Sequence, residues 1–489
     1  MRKTSKRNHV SKSSFWKSSW LKIFCLCLVG LLTANCIRFH PKPVTAARTL
    51  ADFESRRLDD EEVKKFLLAN QVTKEWPPKS WDLQSLTFVA FYYHPDLDLA
   101  RAQWGVAQAG RITAGERPNP SASVLMGYNS TTPVSEVTPW IPEAALEIPV
   151  ETAGKRGYRI SQARHLSEVA RLNILSVAWE VRSRLRQAFL DLYAARETEL
   201  LLSQQQSIQA DNVRILEAQL AAGEVSPYEV TQARIALDNS RLAALDAANQ
   251  SAKARIHLAD ALGVPVKALD SVALSFDGFV QVRPDVPSNE IRRRALVNRS
   301  DILSALSEYE ASQAALRLEI AKQYPDIDLG PDYQLDQTDN KWTLGLSLIL
   351  PLLSRNKGPI AEAEARRAET AARFQALQAK VIGEIESAVA ACRSAIEKAK
   401  VADELLENRK KQETSAKAKY EFGEISKLEL LGVQLELASI ALARLDALVK
   451  AQQAIGELEN AIQSPLDLKG WVFETPGRAS GQAKERKNE

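Results

Sequence analysis

Ala222-Gly223-Glu224-Val225-Ser226 and Phe422-Gly423-Glu424-Ile425-Ser426 stand 200 positions apart and carry the same local instructions. A glycine enters the left-handed conformation that ends a helix at little cost. A serine three residues later accepts a hydrogen bond from the first free N–H groups of a new helix, and after Ser226 a proline follows in the first turn. Upstream of the first copy, Tyr158 to Ala222 is a run of 65 residues without glycine or proline. Upstream of the second, Ile360 to Phe422 is 63 residues broken only by Gly383. As helices these runs reach about 100 Å, and the returning segments, to about Leu262 and Gln463, reach about 50–55 Å. Val181, Leu185, Ala188, Leu192 and Ala195 keep a 3-4 spacing, which marks a narrow coiled-coil-like seam. Each copy therefore reads as a long helical hairpin with a tight turn at its far end.

The duplication extends well beyond the turns. His94-Pro95-Asp96-Leu97 pairs with Arg299-Ser300-Asp301-Ile302, Pro120 with Pro325 and Tyr128 with Tyr333, all at an offset of 205. Pro149 pairs with Pro351 at 202. Anchors that keep their order while the offset drifts by only five residues define a tandem repeat, over 81–262 and 286–465 with a linker at 263–285. In each copy a medium helix (Leu97 to Gly115; Ile302 to Gln323) precedes a proline-marked break, two short strands and the long helix.

The strands alternate. Ile327, Leu329, Pro331, Tyr333 and Leu335 share one face, against Asp326, Asp328, Gly330, Asp332 and Gln334 on the other. Trp342, Leu344, Leu346, Leu348 and Leu350 repeat the pattern, as do Ala122, Val124, Met126 and Tyr128, and Ala144, Leu146, Ile148 and Val150. Strands of nine or ten residues are long enough to cross a bilayer when tilted; the same alternation also suits a sandwich with one wet face. Four strands cannot close a barrel, and lipid tolerates no open edge. A membrane location therefore requires several copies, and three would supply twelve strands.

Residues 1–35 read as a signal peptide. They hold seven basic residues (Arg2, Lys3, Lys6, Arg7, Lys12, Lys17, Lys22), no acidic ones and the uncharged run Ile23 to Leu32. Removing those charges from the formal net +3 leaves −4, so nothing electrostatic favours nucleic acid as a partner. Thr33-Ala34-Asn35-Cys36 stands where an acylated cysteine would be, with cleavage near Thr45-Ala46-Ala47 as the other reading. Within the segment 36–80, Asp52 to Leu68 reads as one amphipathic helix, and the polar tail 466–489 is expected to be disordered. The four cysteines and five histidines are scattered. They show no disulfide framework, metal site or nucleophile constellation, so no cofactor and no enzymatic activity are expected.

Signal peptide, duplication, strand hairpins and hairpins of about 100 Å together resemble the TolC-type outer-membrane efflux family. The local carriers are Asn119-Pro120, Pro149, Pro351 and the two Gly-Glu-Val/Ile-Ser turns; Leu146 to Arg156, ending Gly154-Lys155-Arg156, looks like the heavy-metal-efflux (CzcC-like) branch. The resemblance implies a mainly α chain of tandem-duplicated helical hairpins, an α-barrel tunnel, whose four strands join a trimeric 12-stranded transmembrane β-barrel. The homotrimer would sit in outer-membrane lipid as the passive duct of a tripartite system. Its partners would be a periplasmic adaptor and an inner-membrane, usually proton-driven, pump, and its cargo metal cations or small toxic compounds.

The adaptor-contact tip carried over is Gly223, Glu224, Val225, Ser226, Gly423, Glu424, Ile425 and Ser426. Glu421 and Glu424 are candidates for lining the closing aperture. Asp326, Asp328 and Asp332 would face the lumen as acidic rings that favour cations, or would simply be the solvated side of a strand. A periplasmic adaptor and an exported coiled-coil structural protein are the alternative readings. An adaptor needs lipoyl-like and barrel portions, and a structural coil leaves the alternating strands unexplained.

Overall fold

The computed structural model describes residues 39–72, 75–131, 138–270, 272–282, 289–336 and 339–466. The expected signal peptide, Cys36 and most of the C-terminal tail lie outside them. Residues 1–55 and 56–489 form two units, and the first contributes helix α1 (Ala46–Glu54). The single amphipathic helix expected over 52–68 is two helices. After α1 the chain turns through Leu58, which is buried, and α2 (Glu61–Ala69) starts afresh. The cause is Asp60, whose carboxylate accepts the Glu62 N–H at 2.9 Å and so caps a new N-terminus.

The second unit continues with α3 (Leu83–Tyr93), α4 (Pro95–Gly115), β1 (Ser121–Tyr128) and β2 (Trp140–Val150). The first long hairpin follows, α5 (Lys155–Ala221) and α6 (Pro227–Leu262). After α7 (Asn289–Asn298) the second copy repeats the order as α8 (Ser300–Ala321), β3 (Ile327–Asp336), β4 (Asp339–Leu348), α9 (Lys357–Glu421) and α10 (Lys427–Ile462). The long helices begin about three residues before the expected points, because the chain enters them through two left-handed residues, Ala153-Gly154 and Arg355-Asn356. Helix α3 is almost wholly apolar, with Leu86, Val89, Ala90 and Phe91 buried; it lacks the 3.6-residue period that betrays a helix half in water. Helix α7 lies where only the beginning of the second repeat was expected.

α5 is flanked by α4 and α6, and also by α8 and α10; α9 packs on α8 and α10. The main core gathers Leu86 and Phe91 of α3, Leu185 and Phe189 of α5 and Leu258 of α6. A smaller one joins Val381 and Ile385 of α9 to Leu458 of α10. The two repeats are tied by a buried polar network where α5 meets α10. Glu459 Oε2 accepts from Arg182 Nη1 at 3.0 Å and pairs with Arg186 Nε at 3.4 Å. Arg186 also donates to the Gln452 carbonyl at 2.7 Å, and Trp179 Nε1 donates to Asn460 Oδ1 at 2.8 Å. The guanidinium lies so close to α10 that a Cβ at Gly456 would stand 2.5 Å from Arg186 Nη1.

Removing one member of such a buried group leaves an uncompensated charge. Glu459→Ala is therefore expected to cost about 3–5 kcal/mol, read as a lowered thermal midpoint of the detergent-extracted protein; an unchanged midpoint would refute the network's role. A second expectation concerns pH. His94 is buried between α3 and α4, where its Nδ1 accepts the Asp96 N–H at 3.3 Å. Burial pushes its imidazole below the ordinary range, outweighing the opposing pull of Asp96 and reinforced by Arg184. The folded state thus prefers neutral His94: its contribution to stability is complete above the unfolded value of about 6.5 and is lost as pH falls below it. His94→Asn keeps a capping acceptor without the titration, and should shrink the difference in thermal midpoint between pH 7 and pH 5.

Candidate channel wall and hairpin tips

The strands form one antiparallel sheet in the order β1-β2-β3-β4. Directly paired residues of an antiparallel sheet point to the same side, so the register decides each face. Tyr128↔Trp140, Val124↔Ala144 and Ala122↔Leu146 join β1 to β2. Ala144↔Tyr333, Ile148↔Leu329 and Val150↔Ile327 join β2 to β3. Tyr333↔Trp342, Pro331↔Leu344, Leu329↔Leu346 and Ile327↔Leu348 complete it. Every alternation read from the sequence falls in phase with its neighbours. One face is apolar across all four strands, and many of its large side chains, among them Val124, Trp342, Leu344 and Leu346, stand exposed, while those of β3 are half-buried. Near the loop ends of the hairpins, Tyr128 meets Trp140 edge to face and Tyr333 lies tilted against Trp342, with ring centroids 4.9 and 4.7 Å apart. Aromatic rings gathered at one level of a sheet are what a membrane–water boundary would favour. The four rings were each visible in the sequence; only the register shows them as two pairs.

The opposite face carries Glu143, Glu147, Asp328, Asp332 and Thr343. Thr343 donates to Asp332 at 3.3 Å and Gln334 to Glu143 at 3.4 Å. Asp328 and Asp332 thus share the polar face, in register with Ser347 and Thr343. Asp326 does not join their row. It precedes β3 and belongs to a clasp at the foot of the sheet, where its carboxylate accepts from buried Lys155 Nζ and the Thr152 N–H, both at 2.8 Å. Burial alone would raise the Asp326 carboxyl, but the Lys155 and Thr152 hydrogen bonds and the Lys155 charge outweigh it and hold the group below its ordinary value. Lys155 also donates to the Tyr324 carbonyl at 2.7 Å, Arg156 Nε donates to that of Gly115 at 2.6 Å, and Arg159 pairs with Glu151. Gly154-Lys155-Arg156, singled out in the sequence only as part of a resemblance, is therefore the joint where sheet becomes helix. In the second copy Asn356 does comparable work, donating to the Glu319 carbonyl at 2.7 Å.

Both ends of the wall are open. Among the described residues, β1 and β4 each have one unpaired edge. Among the helices, α6 carries an exposed apolar row at heptad spacing, Tyr228, Ile235 and Leu242, continued by Ile256, while α9 exposes Val401 and Leu405.

At the far end the two tips share one backbone. Gly223 and Gly423 take φ of 79° and 77°, which a side chain would resist. Glu224 N–H donates to the Gln219 carbonyl and Gly223 N–H to that of Leu220, at 2.9 and 3.0 Å; Glu424 to Lys419 and Gly423 to Tyr420 repeat the distances. These are the paired bonds of a Schellman motif. Ser226 and Ser426 then cap α6 and α10, accepting the N–H of Glu229 and Glu429 at 3.4 and 3.2 Å. Glu229 and Glu429 complete a Ser-x-x-Glu pattern that the sequence contained. Val225 and Ile425 are half-buried, while Glu224, Glu421 and Glu424 are exposed.

No helix among the described residues is long and apolar enough to cross a membrane. Residues 92–264 and 291–463 match the model of a family described as outer membrane efflux protein. The chain is 26% identical over 265 residues to the cobalt-zinc-cadmium resistance protein CzcC of Cupriavidus metallidurans, covering 54% of this chain and 61% of that one. It is 24% identical over 301 residues to the pyoverdine export outer membrane protein OpmQ of Pseudomonas aeruginosa, covering 56% and 62%. The chain thus spans about three fifths of the length of these curated relatives. The outer membrane protein VceC of Vibrio cholerae shares the fold, with a TM-score of 0.63 at 19% identity over 78% of this chain and 96% of that one.

Proposed function

We propose, from the premise that this chain belongs to the outer membrane efflux protein family, that it is the outer-membrane channel of a tripartite export system. The observation that carries the reading is the sheet: one face apolar across four strands, one face polar, and both edges unpaired. Unpaired backbone groups are not tolerated in hydrocarbon. An apolar face of this extent needs either lipid or a protein layer. Joining the β1 edge of one copy to the β4 edge of the next satisfies both demands at once. The same rotation brings the apolar row of α6 toward α9 of the neighbour. Three copies give twelve strands, within the range of strand numbers that membrane barrels use.

In that homotrimer the polar face becomes the inner wall, where Asp328 and Asp332 stand in threefold rings that favour cations over anions. The clasp around Lys155 and Asp326 would mark the change from β-barrel to helical tunnel. The tunnel extends into the periplasm, and the turns at Gly223 to Ser226 and Gly423 to Ser426 meet a periplasmic adaptor joined to a proton-driven inner-membrane pump. Glu421 and Glu424 stand at the same tip, where three copies would surround an aperture. Metal cations or small toxic compounds are the proposed cargo, in keeping with the resistance and export named for the relatives. Four strands in one register give the adaptor and coiled-coil alternatives no use for the apolar face.

Membrane fractionation of the expressed full-length chain, then sizing of the detergent-extracted species, tests this reading. The expected product is an outer-membrane species of roughly three times the chain mass of 54.1 kDa, less any leader removed. A monomer released by salt or carbonate would overturn it.

A further inference from the structure

The two tips have one backbone but not one surface, and we infer that they are unequal docking sites: the second turn, through Phe422, holds the partner. The inference rests on the adaptor reading above and goes beyond it by naming the anchoring side chain. Phe422 is 81% exposed at the last turn of α9. In the first copy the same position is Ala222, and its N–H makes the same bond to the carbonyl four residues earlier, at 3.1 Å in both turns. The glycine conformation and the Schellman pair are also alike. The fold therefore has no use for the phenyl ring, because the turn forms equally well around a methyl group.

A large ring held in water, at a position where its own repeat needs only alanine, is the signature of a binding anchor. Its setting differs as well. Gln219, Leu220, Ala221 and Pro227 of the first turn are replaced by Lys419, Tyr420, Glu421 and Lys427. Lys427 Nζ lies 5.2 Å from the centre of the Tyr420 ring, which keeps that cation beside the turn. Glu421 precedes Phe422 directly, and Glu424 follows it after Gly423. The partner that fits is an adaptor end with an apolar socket for one ring, rimmed by basic side chains that meet the two carboxylates. The first turn, with Glu224 but alanine at 221 and 222, offers the same partner a shallower surface that lacks both the ring and one of the two carboxylates.

Photo-crosslinking from p-benzoylphenylalanine at position 422 or 222 of the full-length chain, in cells carrying the complete export system, tests this. Adducts are mapped by mass spectrometry, and trimer recovery from the outer membrane is measured in the same cells. The expected result is that position 422 yields adducts to the adaptor and position 222 yields several-fold fewer. Phe422→Ala, with normal trimer recovery, should lower the adaptor recovered with the channel by about tenfold or more. Equal yields from the two turns would overturn the asymmetry while leaving adaptor docking intact. Adducts from 422 to another copy of this chain would make Phe422 an aperture residue and refute its role as anchor. No adaptor adduct from either position would overturn the docking reading itself.

Discussion

A backbone N–H or C=O in hydrocarbon must find a partner within protein, because the solvent supplies none. In the proposed outer-membrane setting that requirement falls on the free edges of β1 and β4, and the remaining architecture is consistent with it. Among the described residues no protein layer of the same chain covers the apolar side of the sheet, so packing between them does not satisfy it. In the proposed homotrimer, closure with further copies would pair the edges and leave the apolar side to lipid. The helical wall is built in the same sense, with the packing order of α4 and α6, α5, α8 and α10, then α9 matching the strand order, so that one rotation between copies would serve both parts of the proposed homotrimer.

Two devices hold the parts in relation. At the foot of the sheet, Lys155 and Thr152 of the first repeat grip Asp326 and the main chain of Tyr324 and Pro325 of the second. Where α5 meets α10, Arg182 and Arg186 of the first repeat converge on Glu459 of the second. Both join the two copies of the duplicated unit across a charge. Ionic groups fix a geometry more strictly than apolar contacts do, because a displaced charge loses its partner and keeps its desolvation cost. Between these clasps and the tips, the hairpins rely on narrow seams with small clusters such as Val213, Ala233 and Leu237.

Much of this was legible in the residues. Helix length followed from the absence of glycine and proline, the turns from Gly-Glu-Val-Ser and Gly-Glu-Ile-Ser, and the strand faces from strict alternation. What failed to show did so for identifiable reasons. Helix α3 is buried nearly all round and has no polar face to set a period. The break between α1 and α2 depends on Asp60, one acid among several in an acidic stretch, acting as a cap. Asp326 continues the alternation of β3 on paper, yet the strand begins at Ile327 and the carboxylate is taken by Lys155, 171 positions away. The Arg182–Arg186–Glu459 group left no sequence signal, since charged residues at helical spacing are common in a chain that is 26% charged.

By itself the sequence determined most of the elements: where the long helices run and turn back, which side of each strand is apolar, and that the unit occurs twice. These are local properties, settled by backbone preference and by the period of hydrophobic residues along one segment. Only the tertiary structure decided how the segments combine. It set the four alternations in phase as one apolar face, paired Tyr128 with Trp140 and Tyr333 with Trp342, assigned Asp326 to a clasp and left the phenyl of Phe422 in water. Those outcomes depend on register and on contacts between residues far apart in the chain, and no local pattern encodes a distance between two segments.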